Sequence, residues 1–388
     1  MKRARTLVLL LFFLALYGPV LFYNAVRAPI SLDENLGLER ISRSPAQFDV
    51  PLDHYYAIDH PALFRWINRA VLGALGVEIG EVPRTDHTQS VKWNVNHRAA
   101  PRHVVRILQR ANAAALVGAL AALFFVARAA LASDLWGFLV AAPLGLSTNF
   151  GVYVGGYIWT DAYLAFFLAW ALFFWVLFGL SPEPTRVWRI VVMGIVVGLA
   201  VSTKLNAGLL LAAYVAYLAA VCKGWGRIWR AAFFVAVAFA VFAAVNPVMW
   251  RGGPLWWWHI AGEIVRHRFN VIEMHAERFG ESAFTGRLAK IFPMWYLLPI
   301  YALIVWTARG ERWFLPVFLW SIFLVAGTAL TINQPWKRYL MPLDMGMVVL
   351  VMLSAITLAR RLSAPTLTVR DLVRWGRGGA SGTSAPRA

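Results

Sequence analysis

Ten stretches of this chain, each about 17 to 22 residues long, run nearly without charge, and that recurrence constrains the fold more than any other feature. About 20 apolar residues in a helix cross the roughly 30 Å of a bilayer's hydrocarbon core. In lipid every backbone N–H and C=O must find its partner within the structure, so runs of this length imply helices. They fall at about 7–26, 107–127, 135–154, 159–180, 187–203, 205–222, 231–250, 291–308, 313–332 and 339–358. A composition 60% hydrophobic and only 14% charged lies far from that of a soluble domain. The expected fold class is therefore an all-α polytopic membrane protein with about ten transmembrane helices. Residues 1–358 would form the membrane unit, with residues 359–388 a basic, disordered cytoplasmic tail. The first run follows Lys2, Arg3 and Arg5 and reads as a retained helix, because no small-residue cleavage site precedes Arg27. The single cysteine, Cys222, excludes an internal disulfide framework and a cysteine-based metal site.

The cations orient the chain, since short loops rich in Lys and Arg stay on the cytoplasmic side. With the N-terminus inside, Arg128, Arg186, Arg189, Lys223, Arg227, Arg230, Arg309, Arg312 and the tail from Arg360 all fall on inner loops. Lys204, Lys337 and Arg338 fall outside and need another reason. The net charge of +18 is mostly this topological signal, together with attraction to anionic lipid, and requires no nucleic acid. The reading places the chain in a bacterial inner membrane.

All eight histidines and most of the 19 acidic residues lie in two stretches, about 27–110 and 251–290. The orientation puts both on the outer, periplasmic side, as outer loops spanning about 27–106 and 251–290, so the membrane helices would present one ionisable chamber. In the first stretch Leu63, Ile67, Val71 and Leu75 recur at four-residue spacing with Phe64 and Leu72 beside them, while Arg65, Asn68 and Arg69 fall elsewhere on the turn. This predicts an amphipathic helix, either lying in the membrane interface or packing onto a small loop domain. Trp250 and Trp256 to Trp258 open the second stretch, as an aromatic belt or as sugar-stacking rings. No internal repeat of the transporter kind is visible.

The chemistry candidates sit around this chamber. Asp33 and Glu34 follow the first run, where a shielded carboxylate can act as a general base and where an exposed helix cap is the plainer alternative. Asp59 and His60 precede Pro61. Asp161 starts the fourth run at its outer mouth, capping the helix or pointing into the chamber. Lys204 lies in an outer turn beside Ser202 and Thr203, where its ammonium would hold a phosphate or snorkel to the interface. Arg102, Arg106 and Arg110 recur at four-residue intervals and would add a cationic face for the same anion.

Taken in order, Asp33-Glu34, Asp59-His60-Pro61-Ala62-Leu63, Thr160-Asp161-Ala162, the run Gly198 to Lys204, Asn246-Pro247 and Arg338-Tyr339-Leu340-Met341-Pro342 resemble the GT-C superfamily. The likeness is to its protein O-mannosyltransferase and aminoarabinose-transferase branch, over about residues 1–358. It implies a polyprenyl-phosphate-linked sugar donor, membrane lipids as surroundings, and a hydroxyl-bearing acceptor. It also implies an acceptor-activating base at Asp33 with Glu34 beside it, a second acidic site at Asp161, and a substrate contact at His60, while the residues themselves offer Lys204, Arg102, Arg106 and Arg338 as cations for the phosphate. Ala62 stands where the family has a second proline, and residues 154–157 lack the arginine often found shortly before Asp161. A hydroxyl needs a base to accept its proton as it attacks, whereas a departing lipid phosphate needs fixed cations. One displacement would invert the anomeric centre. Glu34, His60 and His267 leave a divalent-metal site open. Two other classes remain open: a metal transporter built on His54, His60, His267 and His275, and a non-catalytic scaffold that binds polyprenyl lipid.

Overall fold

In the computed structural model the described residues are 2–27, 38, 41, 62–79, 101–147, 149–155, 158, 160–247, 262, 298–331 and 341–363. Regular structure among them is entirely helical. The helices are α1 (Lys2–Arg27), α2 (Leu63–Ala74), α3 (Arg102–Leu131), α4 (Asp134–Leu146), α5 (Asp161–Gly179), α6 (Val187–Thr203), α7 (Leu209–Val221), α8 (Trp225–Val245), α9 (Leu298–Thr307), α10 (Phe314–Thr331) and α11 (Met341–Leu362). Each of the ten apolar runs contains one of them. Among the described residues five helices, α1, α3, α5, α8 and α11, are long and apolar enough to cross a membrane.

Two runs depart from a single continuous helix. The third run ends its α-helix at Leu146 and resumes as a π-helical segment, Asn149–Gly155. Pro143 weakens the last turns of α4, Ser147 turns extended, and its hydroxyl accepts the Phe150 N–H at 3.2 Å. The sixth run opens with a 3-10 turn, Leu205–Gly208, before α7, because Lys204 is extended (φ −157°, ψ 129°) and interrupts the helical path.

α3 is the central pillar and packs along α1, α4 and α5, while α6 lies against α5 and α8, and α10 joins α7 to α11. Phe13, Phe124, Trp175, Tyr214, Trp313 and Trp320 fill the core between them. Sites expected on inner loops gather at one end of the bundle, where Arg360 lies over the Trp136 ring at 5.6 Å and Arg361 donates to Glu311 at 2.6 Å. There Asp134 accepts hydrogen bonds from Arg128 Nε at 2.7 Å and from Thr6 at 3.1 Å. At the other end a smaller cluster of Leu38, Ile41, Phe64, Leu72, Val104, Val105, Leu108, Ile158 and Tyr163 seats α2 on α3 and α5.

The face on which α2 packs corrects the expectation in part. Its period is helical as predicted, and Phe64 and Leu72 of the expected apolar face are buried, but Arg65 and Asn68 are buried with them, while Leu75 is exposed. The contact therefore includes a polar group held by hydrogen bonds. Asn68 Oδ1 accepts the Tyr163 hydroxyl at 3.1 Å, and Asn68 Nδ2 donates to the Phe64 carbonyl at 2.8 Å. Trp66 remains exposed on the other side yet donates through Nε1 to the Val245 carbonyl at 3.0 Å.

Lipid tails are as apolar as leucine, so membrane helices associate by close packing of small residues more than by water exclusion. Gly194 and Gly198, four apart on α6, lie against α8. A Cβ on Gly198 would stand 2.6 Å from the Ala238 carbonyl oxygen, and one on Gly194 2.7 Å from Val237 Cγ1. This approach brings the ends of α6 and α8 together next to Lys204. Gly198→Ala should therefore lower stability by about 1–3 kcal/mol, read as a fall in thermal midpoint in detergent. Gly208→Ala, where a Cβ meets nothing within 4 Å, should leave the midpoint near wild type.

Candidate functional site

Three helix ends converge opposite the cation-rich end of the bundle. α5 begins at Asp161, α6 ends at Thr203, and α8 ends at Val245 with Asn246 beyond it. Asn246 is buried and binds all three neighbours: its Oδ1 accepts the Ala62 N–H at 2.6 Å, and its Nδ2 lies 3.3 Å from Ser202 Oγ and 2.7 Å from the Phe242 carbonyl. The side chain thus satisfies a backbone donor at the start of α2 that the helix cannot satisfy itself. It also fixes Ser202, two residues before Lys204.

The extended backbone at Lys204 turns its side chain inward. Nζ donates to Asp161 Oδ1 at 2.6 Å, with Asp161 only 3% and Lys204 8% exposed. The snorkelling alternative is overturned, since the ammonium is buried and paired. Capping does not account for Asp161 either: it occupies the first helical position, Thr160 precedes it without a side-chain cap, and the carboxylate meets the lysine. A helix N-terminus still favours its negative charge. The Thr203 hydroxyl is committed to the Ala200 carbonyl at 2.6 Å and is not turned toward an anion. The buried Thr160 hydroxyl has no hydrogen-bond partner among the described residues.

Asp161 and Lys204 line a small pocket with Leu164, Leu168, Asn206, Ala207, Leu209, Leu324, Thr328 and Pro342. Apolar walls from α5, α7, α10 and α11 thus surround one polar corner, the arrangement expected of a site that orients an amphiphilic ligand. Of the arginines expected nearby, Arg106 is half-buried and donates to the Val26 carbonyl and to Gln109 Oε1 at 2.7 Å, tying the N-terminal end of α3 to α1. Arg102 is exposed. Neither lines the pocket.

Asp33, Glu34, His60, His267 and Arg338 lie outside the described residues. Among the described residues no three His, Cys, Asp or Glu side chains gather closely enough to hold a metal ion. Sequence reasoning passed over Asn68, Tyr163 and Asp344. Asp344 sits in the first turn of α11, two residues past the pocket-lining Pro342, and a carboxylate inside the run 339–358 was the available signal. Asn68 and Tyr163 gave none, because their pairing depends on which face of α2 docks.

Breaking a buried ion pair from one side leaves the other charge uncompensated, at about 3–5 kcal/mol, whereas replacing both partners by well-packed apolar groups is often close to neutral. Lys204→Ala and Asp161→Ala should each lower the thermal midpoint strongly. The double variant Asp161→Leu, Lys204→Met should recover most of the loss.

Comparison with known proteins agrees with this architecture. The family model described as dolichyl-phosphate-mannose-protein mannosyltransferase matches residues 79–264. That stretch contains Asp161, Lys204 and Asn246. Among solved structures, ArnT from Cupriavidus metallidurans bound to undecaprenyl phosphate is similar at 18% identity and a TM-score of 0.55, covering 94% of this chain and 61% of its own. The oligosaccharyltransferase of Archaeoglobus fulgidus in the apo form is similar at 12% identity and a TM-score of 0.56, covering 97% of this chain and 53% of its own. This chain thus spans about three-fifths of the length of the first and half that of the second. No curated protein sequence matches it.

Proposed function

We propose that this chain, whose fold is that of the GT-C membrane glycosyltransferases, transfers a sugar from a polyprenyl-phosphate carrier to a hydroxyl acceptor on the outer face of the membrane. The observation that carries the reading is the buried Asp161–Lys204 pair in a pocket whose remaining walls are mostly apolar. A polyprenyl phosphate needs both parts: hydrocarbon walls for its isoprene units and a fixed cation for its phosphate. An ammonium has three donors. Asp161 takes one and holds the side chain in place, and a phosphate oxygen would accept from the ammonium as well. The ArnT neighbour was solved with undecaprenyl phosphate bound, which supports a ligand of this class. Sugar and acceptor are left general.

In the reaction the acceptor oxygen attacks the anomeric carbon while a carboxylate takes its proton. Asp33 is the assigned base, with Glu34 as its neighbour. The bond from the anomeric carbon to the phosphate oxygen breaks as the new one forms, and the electron pair leaves with the lipid phosphate. Lys204 meets that charge as it develops, so its position matters more in the transition state than in the ground state. The configuration inverts, and no sugar–enzyme bond forms.

Two measurements test this. Asp33→Asn should fold normally and lose about a hundredfold to ten-thousandfold in transfer rate, assayed in detergent against a panel of polyprenyl-phosphate sugars. Wild-type turnover would take the base away from Asp33. The Asp161→Leu, Lys204→Met double variant should bind polyprenyl phosphate roughly tenfold to a hundredfold more weakly, the loss of one charge-assisted contact. Unchanged binding by that protein would make the pair purely structural.

A further inference from the structure

The cation-rich end of the bundle, opposite the Asp161–Lys204 pocket, is unevenly neutralised. Arg128 pairs with Asp134 at 2.7 Å, Arg186 with Glu183, and Arg361 with Glu311 at 2.6 Å. The Arg186 guanidinium beside Glu183 holds that carboxyl below its ordinary range. The turn from Cys222 to Arg230 differs: it carries Lys223, Arg227 and Arg230 and contains no acidic residue. Among the described residues none of these three cations makes an ion pair. Arg227 Nε donates to the Cys222 carbonyl at 3.3 Å, and Arg230 lies over the Trp229 ring at 4.9 Å.

A groove opens beside this turn. Val215 and Ala219 of α7 form one wall, and Ile228, Ala231, Ala232, Val235, Ala236 and Phe239 of α8 form the other, with Arg227 at its mouth. The α8 residues follow helical spacing along one face, and its three alanines, facing Ala219 of α7, leave room between the two walls. Its volume is about 710 Å³. From Arg227 to Phe239 the groove runs for about 18 Å along the helix, close to the roughly 15 Å depth of one bilayer leaflet. Trp225, 74% exposed, flanks its mouth at the level where membrane-interface tryptophans sit.

We propose that this groove is a binding site for an anionic phospholipid, with the phosphate and charged headgroup at Arg227, Lys223 and Arg230 and one acyl chain along the alanine-lined wall. Charge decides the occupant. An acid-free cluster of three cations at headgroup level attracts anionic lipid, each cation contributing independently of any contact with the sugar-transfer site. A zwitterionic lipid would fill the same groove without that preference. The site is separate from the Asp161–Lys204 pocket, in the opposite leaflet, and stands whether or not the chain transfers sugar.

The test is native mass spectrometry of the full chain extracted from nanodiscs of equimolar phosphatidylglycerol and phosphatidylcholine. Wild-type protein should retain phosphatidylglycerol preferentially. Arg227→Gln should reduce that preference by about fivefold, one cation's share of the attraction to an anionic surface. Ala232→Phe, at an exposed position that tolerates bulk, should fill the groove and reduce both retained lipids while leaving the thermal midpoint unchanged. Retention of the two lipids in their bulk ratio by wild type would overturn the proposal. So would an unaltered preference in Arg227→Gln, or displacement of the retained phosphatidylglycerol by added polyprenyl phosphate, which would give the groove to the carrier lipid instead.

Discussion

A lysine ammonium and an aspartate carboxylate, both nearly removed from solvent and 2.6 Å apart, set the terms for one end of this molecule. Neither charge is tolerable in such a place alone. The pair therefore requires that the start of α5 and the end of α6, 43 residues apart in sequence, stay in register to within a hydrogen bond. The rest of this end of the bundle serves that requirement. Gly194 and Gly198 let α6 approach α8 closely, Asn246 links the end of α8 to Ser202 and to the start of α2, and Tyr163 fixes α2 through Asn68.

The outcome is a division of labour along the membrane normal. One end gathers cations, three of which are neutralised by nearby acids. The other, among the described residues, holds the compensated Asp161–Lys204 pair in a pocket lined largely by leucines. An enzyme acting on an amphiphilic carrier needs that contrast, because the hydrocarbon of the substrate and its phosphate must be recognised by surfaces of opposite character within a few ångströms. The pair also makes the lysine a fixed cation. Its position is determined by the protein before any ligand arrives, which is what stabilising a developing charge demands.

Much of this was legible in the sequence. Each apolar run contains a helix, and Lys204 stood out because an outer cation between two membrane helices is out of place. Asp161 stood out because a carboxylate starts an apolar run. That the two answer each other was not legible, since no local spacing links positions so far apart and each had a sufficient local explanation, capping for one and snorkelling for the other. The docking face of α2 was legible in Phe64 and Leu72, but the burial of Arg65 and Asn68 was not, for a related reason: periodicity counts apolar side chains, whereas Asn68 is held in the contact by its bonds to Tyr163 and Phe64. The break in the third run lay in Pro143 and Ser147, which hydropathy alone reads through. The base assigned to Asp33 rests on resemblance and on chemistry.

The central claim is that Lys204, held by Asp161, is where the carrier phosphate binds. The most direct measurement is an experimental structure of the full chain with polyprenyl phosphate bound. The account predicts a phosphate oxygen within hydrogen-bond distance of Lys204 Nζ, the Asp161 contact retained, and the first isoprene units against Leu164, Leu168, Leu209 and Leu324. A phosphate seated elsewhere, with the Asp161–Lys204 pocket left unoccupied by ligand, would contradict it.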